Sequence, residues 1–137
     1  MMGAITRRLR SLGLMSEAFL AIAVARVQMR LWPVRTLSVA ASEPVQSRET
    51  DVENVVRHFR SVVQWHPMST SCLHRSLALR AMLVRRGAAA RVRIGLGEPP
   101  QMIPGHAWVE VGGRVVNDDE AAIAARYRPL VIGSAAQ

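Results

Sequence analysis

The only cysteine of this chain, Cys72, stands where a thiol could act as a nucleophile. It follows the polar run Ser-Thr-Ser at 69–71 and opens a helix-like stretch over 72–86. Backbone N–H groups at a helix start are unpaired and carry partial positive charge, so they favour a thiolate and can hold a developing oxyanion. A lone cysteine is more often a small buried hydrophobe. The polar lead-in and the acid–base groups downstream favour the catalytic interpretation here.

A candidate base follows in the segment His-Ala-Trp-Val-Glu-Val. Its alternation places His106, Trp108 and Glu110 on one face of a predicted strand. The glycine pair that follows predicts a hairpin whose second strand covers residues 114–117. A histidine in this position can exchange a proton with a thiol and with a leaving amine, which is general acid and base work.

The pattern leaves open which acidic residue would orient His106. A two-residue turn at the glycines places Asp119 opposite His106, whereas a three-residue loop over 111–113 brings Asp118 there. Periodicity does not choose between these two registers.

Three helices are predicted to precede the strands and to position these groups. The first stops at Pro33, and we expect it to bury apolar residues that recur at helical spacing: Leu20, Val24, Val27 and Leu31. The stretch 38–49 lacks periodicity and predicts a linker.

The second helix has the clearest pattern in the chain. Thr50 and Glu53 form a capping box, and a one-sided apolar stripe follows: Val52, Val55, Val56, Phe59, Val62 and Val63. The third helix begins near Cys72, and Gly87 is placed to stop it. We expect it to bury Leu73, Leu77 and Val84.

Strands are predicted over 90–96, 107–111 and 114–117, with a further candidate at 130–132. The proline-rich stretch 97–105 leads into His106 and is a candidate wall of a substrate groove. Helices followed by an antiparallel sheet indicate an α+β fold. We expect one compact domain in which an N-terminal helix and linker, 1–49, precede a catalytic core, 50–137.

Composition restricts the compartment and the partners. One cysteine excludes an internal disulfide, so a cytoplasmic location is expected. The uninterrupted apolar run, 18–25, is shorter than the roughly 20 residues of a membrane span, although Ala-Val-Ala at 23–25 would fit a signal-peptide cleavage site. The net charge is +8, and every lysine-or-arginine position is an arginine. Such a charge favours acidic partners. No nucleic-acid-binding signature accompanies it, so no nucleic acid partner is expected.

A metal site is not expected. Cys72, His66, His74 and His106 could in principle form a zinc site, but they include no closely spaced ligand pair such as Cys-x2-Cys. We therefore predict neither a metal nor another cofactor.

Four segments in this order resemble the lasso peptide biosynthesis B2 proteins: residues 72–80, 83–87, 90–96 and 106–118. Residues 30–33, Arg-Leu-Trp-Pro, resemble more loosely a segment that precedes the core in that family. The resemblance implies a transglutaminase-like or papain-like core in which the catalytic cysteine starts a helix packed on a small antiparallel sheet. It also implies the roles: Cys72 as nucleophile, His106 as acid and base, and Asp118, twelve residues after the histidine, as the orienting carboxylate.

The resemblance further implies a cysteine leader peptidase of lasso peptide biosynthesis. Such a protein removes the leader from a ribosomally made precursor, and its partners are a leader-recognition protein, B1, and a lasso cyclase that uses the freed amine. Two alternatives remain from the residues alone. The same three groups could transfer the acyl group to an amine instead of water, or the chain could be a non-catalytic adaptor that binds the precursor or the cyclase.

Overall fold

The computed structural model describes residues 2–31, 49–66, 70–97 and 104–129. Within them the order is α1 (Met2–Leu31), α2 (Glu49–Trp65), α3 (Cys72–Val84), β1 (Ala90–Gly97), β2 (His106–Val111), β3 (Arg114–Val115), α4 (Glu120–Arg126) and β4 (Tyr127–Pro129). Helices followed by an antiparallel sheet confirm the predicted α+β class. Most of the predicted linker, most of the proline-rich stretch and the candidate strand at 130–132 lie outside the described residues.

Helix α2 forms where its apolar stripe predicted. Five residues of the stripe are buried, and Val63 is partly buried beside them: Val52, Val55, Val56, Phe59 and Val62. Because the apolar residues fall on one side only, just one orientation of the helix removes them from water. This helix shares one core cluster with α1, α3 and the inner face of the sheet.

Helix α1 exists as predicted, but it packs through another face. Leu20, Val24, Val27 and Leu31 are 51–66% exposed. The buried side is formed by Leu14, Ala18, Ile22 and Ala25. The small alanines let α1 approach α2 and α3 closely, and both of these helices contact it. The prediction was wrong because α1 is apolar on both sides, so helical spacing alone could not identify the packed side.

Helix α1 is both long and apolar. The helix over Gly3–Leu31 is long and apolar enough to cross a bilayer, and 22% of its most apolar 18-residue segment is buried inside the protein. Core helices and signal sequences meet the same criterion. Here α1 contributes four residues to the protein core. It is also joined to the segment that follows α3, because Arg86 donates a hydrogen bond of 2.9 Å to Glu17.

Helix α3 ends at Val84, and Gly87 follows with a φ of 81°. The N–H of Gly87 reaches the carbonyl of Val84 and the N–H of Ala88 reaches that of Leu83, which is the Schellman pattern. The predicted stop at Gly87 is therefore confirmed. The predicted inner face is only partly right, because Leu73, Leu77 and Val84 are partly buried at the edge of the core. The fully buried positions are Ser76, Ala78, Leu79, Met82 and Leu83.

The sheet has the order β3-β2-β1-β4, and every neighbouring pair is antiparallel. Ala90 pairs with Val111 and Gly95 with His106, so β1 covers the whole of β2. Strand β3 is shorter than predicted and ends at Val115. The inner face of the sheet packs on α3, since Ala107 and Val109 belong to the core cluster.

Candidate active site

His106 and Asp118 are in direct contact at the start of β2. The His106 Nε2 and the Asp118 Oδ2 lie 2.6 Å apart, and the two side chains are 25% and 37% exposed. An ionised carboxylate only accepts hydrogen bonds, so the His106 Nε2 is protonated and donates a hydrogen bond to Asp118. This arrangement leaves Nδ1 of the ring as the nitrogen that can exchange a proton with another group.

Asp118 reaches His106 by a route that neither predicted register described. The turn is the two-residue form, because Val111 pairs with Arg114 and both intervening glycines have positive φ. Unbroken pairing would then bring Asp119 opposite His106.

The pairing stops before that point. The Val116 N–H still bonds to the Val109 carbonyl, but the Val109 N–H is taken by the side-chain Oδ1 of Asn117 at 2.8 Å. Asn117 thus ends the ladder and lets the chain turn Asp118 toward His106. Asp119 instead caps α4, where its carboxylate accepts from the N–H groups of Ala121 and Ala122.

The charge state of Asp118 follows from its contacts. Partial burial raises the pKa of its carboxyl group, but this effect is exceeded by the hydrogen bond from His106, the N–H of Asp119 and the positive charge of Arg60, so the net pKa lies below the ordinary value. Asp118 therefore stays ionised in mild acid. Its contribution to stability is complete above the ordinary carboxyl pKa of 3.8 and is lost as the pH falls through the lower folded-state value.

Cys72 lies at the first position of α3, at the same end of the sheet as His106. The Ser76 hydroxyl, buried and one turn after Cys72, donates to the Ala107 carbonyl at 3.1 Å. The C-terminal end of α3 leads into Ala90, which pairs with Val111 at the far end of β2. Helix α3 thus runs in the direction of β2, and Cys72 lies about 6 Å further along the helix axis than Ser76, toward the start of that strand.

Among the described residues, no hydrogen bond joins the Cys72 thiol to His106. Cys72 is partly buried against the core, and its own N–H is the first of the N–H groups at the start of α3. Catalytic hydrogen bonds are often long or unformed in unliganded sites. The resting structure therefore contains a formed His106–Asp118 pair. The Cys72 thiol lies at the start of α3, at the same end of the sheet, and is not hydrogen-bonded to that pair.

The start of α3 is held by a capping box in which the N-cap is Ser71 and the N3 residue is a histidine, His74. The Ser71 hydroxyl accepts from the His74 N–H, while His74 Nδ1 accepts from the Ser71 N–H and contacts the Ser71 hydroxyl at 2.6 Å. Only a neutral imidazole can accept at Nδ1. The pKa of His74 is lowered, first by partial burial and second by the positive charge of Arg26. From the sequence, His74 was considered only as a ligand of a zinc site that was not expected, whereas in the structure it caps α3.

This cap predicts a pH-dependent stability. The folded-state pKa of His74 lies below its ordinary value of 6.5, so its contribution is complete above that pH and is lost as the pH falls through the lower value. We expect His74→Gln, which keeps an N3 capping side chain without titrating, to reduce the loss of stability between about pH 6.5 and pH 5. Denaturant unfolding of both proteins across this range measures it. An identical pH dependence in the two proteins would contradict the prediction.

Two aromatic side chains, Tyr127 and Trp108, pack near the His106 ring. The centroid of the His106 ring lies 5.2 Å from that of Tyr127 and 6.3 Å from that of Trp108. The indole N–H of Trp108 donates to Glu110, which also accepts from Arg93 at 3.0 Å. Strand alternation places Trp108 on the same face of β2 as His106, and this was predicted. Tyr127 was not, because it comes from β4 and no local pattern links it to His106.

Gly95 makes this cluster possible. A Cβ added at Gly95 would lie 2.8 Å from two ring atoms of Trp108 and 2.9 Å from the Cβ of Tyr127. We expect Gly95→Ala to lower the free energy of unfolding by about 1–3 kcal/mol and to displace the ring beside His106. Gly13→Ala is the matched control, because Gly13 lies in the middle of α1 on its exposed side, and a Cβ added there would contact nothing. That change should stabilise by about 0.5–1 kcal/mol. Thermal or denaturant unfolding separates the two, and equal effects would contradict the close approach.

No group of three or more histidine, cysteine or acidic residues in the described ranges is arranged to hold a metal ion. The three candidate side chains instead suit acyl transfer: a thiol at a helix start, an imidazole and a carboxylate bonded to it.

Comparison with known proteins supports one assignment. A model of the transglutaminase-like superfamily matches residues 15–132, which includes the second half of α1 and every strand and helix after it. No curated protein and no solved structure matches the chain.

Proposed function

This chain belongs to the transglutaminase-like superfamily, and from that membership we propose that it is a cysteine peptidase acting through Cys72, His106 and Asp118. The superfamily includes cysteine peptidases and acyl transferases. The observation that carries the proposal is the 2.6 Å contact between His106 Nε2 and Asp118, at the end of the sheet where Cys72 begins α3. Such a contact fixes the ring and leaves its Nδ1 for the thiol.

The proposed reaction has two acyl-transfer steps. The Cys72 thiol gives its proton to His106 Nδ1 and its sulfur attacks a peptide carbonyl, whose oxyanion is held by N–H groups at the start of α3. The tetrahedral intermediate collapses with cleavage of the C–N bond, and His106 protonates the leaving amine. Water, deprotonated by His106, then hydrolyses the thioester. Asp118 accepts from Nε2 throughout and stabilises the imidazolium that forms in each step.

The proposed substrate is a ribosomally made lasso peptide precursor whose leader is removed at a single bond. The support is the resemblance to B2 proteins over residues 72–80, 83–87, 90–96 and 106–118. The same resemblance supports a separate recognition protein of the B1 type that presents the leader. The amine freed by cleavage is the group that a lasso cyclase would join to a side-chain carboxylate.

Mass spectrometry of a candidate precursor tests this function. The precursor is incubated with this protein, with and without a recognition protein of the B1 type. Cleavage at one peptide bond that depends on the recognition protein is the expected result. A product with added mass and no cleavage would replace hydrolysis by transfer to an amine. A bound but unchanged precursor would contradict the peptidase proposal and favour an adaptor.

A further inference from the structure

A groove of about 820 Å³ lies between α2 and the β2–β3 hairpin. Valines from both elements form its apolar part, among them Val56 of α2 and Val115 of β3. Arginines stand around it: Arg57 and Arg60 on α2, and Arg114 on β3. This combination of an apolar floor and a basic rim is a recognisable ligand environment.

The groove leads to the candidate active site. It follows α2 from Val52 to Gln64, a distance of about 18 Å along the helix axis. One end is at the hairpin turn, where Gly112 lines it. The other end is lined by Val116, two residues before Asp118, and by Arg60, whose charge acts on the Asp118 carboxylate. A ligand that fills the groove therefore ends beside the His106–Asp118 pair.

The hairpin side of the groove is the outer edge of the sheet. Among the described residues, strand β3 is the last strand of the sheet and its only strand partner is β2. The bond from Val116 to Val109 makes that pair a hydrogen-bonded one, so the Val115–Glu110 pair is of the non-hydrogen-bonded kind. Val115 consequently directs its own N–H and C=O away from β2. An extended peptide can pair with such groups by strand addition.

The charges around the groove favour an acidic ligand. Among the described residues that line the groove, one is acidic, Glu53, and three are arginines. Arg57 is exposed and has its guanidinium oriented by Asn54, to which it donates at 2.8 Å. An oriented guanidinium can bind a carboxylate through two parallel N–H groups.

We propose that this groove binds an extended peptide segment of about five residues with aliphatic and acidic side chains, paired to the backbone of Val115 and held by Arg57. The inference rests on the proposed peptidase function in one respect, because the segment would be the part of the substrate adjacent to the cleaved bond. The length follows from the groove, since about five extended residues span 18 Å at 3.3 Å each.

Direct binding to the full-length protein tests the groove without requiring cleavage. The probes are two fluorescein-labelled pentapeptides, Val-Glu-Val-Asp-Val and its neutral isostere Val-Gln-Val-Asn-Val, followed by fluorescence anisotropy. The acidic peptide should bind about tenfold more tightly at low salt. Arg57→Glu should remove this preference. Arg8→Glu makes the same charge change on α1, outside the groove, and should leave the preference in place.

A third probe tests the backbone pairing from the ligand side, where no protein variant can misfold. The acidic pentapeptide methylated at alternate backbone nitrogens should bind at least about tenfold more weakly. Equal affinity of the acidic and neutral peptides, or equal effects of Arg57→Glu and Arg8→Glu, would overturn the proposal. Selective binding without precursor cleavage would count against the peptidase function alone, and cleavage indifferent to acidic residues in the precursor would count against the groove alone.

Discussion

Replacing Cys72 with alanine should reduce the rate of precursor cleavage by on the order of 10⁴-fold or more. The physical reason is that no other thiol exists in the chain and the remaining groups can only polarise a carbonyl, not attack it. Single-turnover assays of the precursor with excess protein measure the rate. Cys72→Ser should also lose most of the rate, because a hydroxyl beside the same imidazole is a poorer nucleophile than a thiol.

The fold should survive this substitution, which makes the kinetic result interpretable. Cys72 is partly buried at the edge of the core, and alanine is a good helix former at the first position of α3. We expect the free energy of unfolding to change by less than about 1.5 kcal/mol. Alkylation gives an independent check on the natural protein, since one modified thiol per chain should inactivate it. Full cleavage by the alanine variant would remove Cys72 from the mechanism.

The parts of the fold that the sequence predicted well are those in which apolar residues fall on one side. The valine stripe of α2 allows one packing orientation, and the alternation of β2 separates Ala107 and Val109 from His106 and Trp108. Helix α1 lacks this asymmetry. Its packed face is chosen by the small side chains of Ala18 and Ala25, whose closeness to other helices depends on tertiary structure.

In the candidate site, too, some residues can be predicted from local sequence and others depend on tertiary structure. Cys72 and His106 stand out locally, because a polar Ser-Thr-Ser run precedes Cys72 and His106 opens a segment with strand alternation. The choice between Asp118 and Asp119 was not available from turn length, because it depends on one hydrogen bond, from the Val109 N–H to the side-chain Oδ1 of Asn117, that ends the ladder. Tyr127 could not be found at all, since its contact with His106 is created by the pairing of β4 with β1.

Exchanging Asp118 and Asp119 for alanine one at a time should separate catalysis from stability. Asp118→Ala removes the acceptor that fixes the His106 ring, and misplacement of a reacting group by about 1 Å can cost about 10²-fold in rate. We expect kcat to fall by about 10²-fold or more. Asp118→Asn should retain more activity than the alanine variant, because an amide oxygen still accepts from Nε2, as in Cys-His-Asn sites.

Asp119→Ala should behave in the opposite way. It removes the N-cap of α4, which should lower the free energy of unfolding by about 0.5–2 kcal/mol and leave kcat nearly unchanged. Steady-state kinetics and denaturant unfolding of both variants provide the comparison, with each protein serving as the control for the other. If Asp119→Ala lost turnover and Asp118→Ala kept it, His106 would take its orientation from Asp119 in the working enzyme. Asn117, which places Asp118 in the resting structure, would then have to release the Val109 N–H during catalysis.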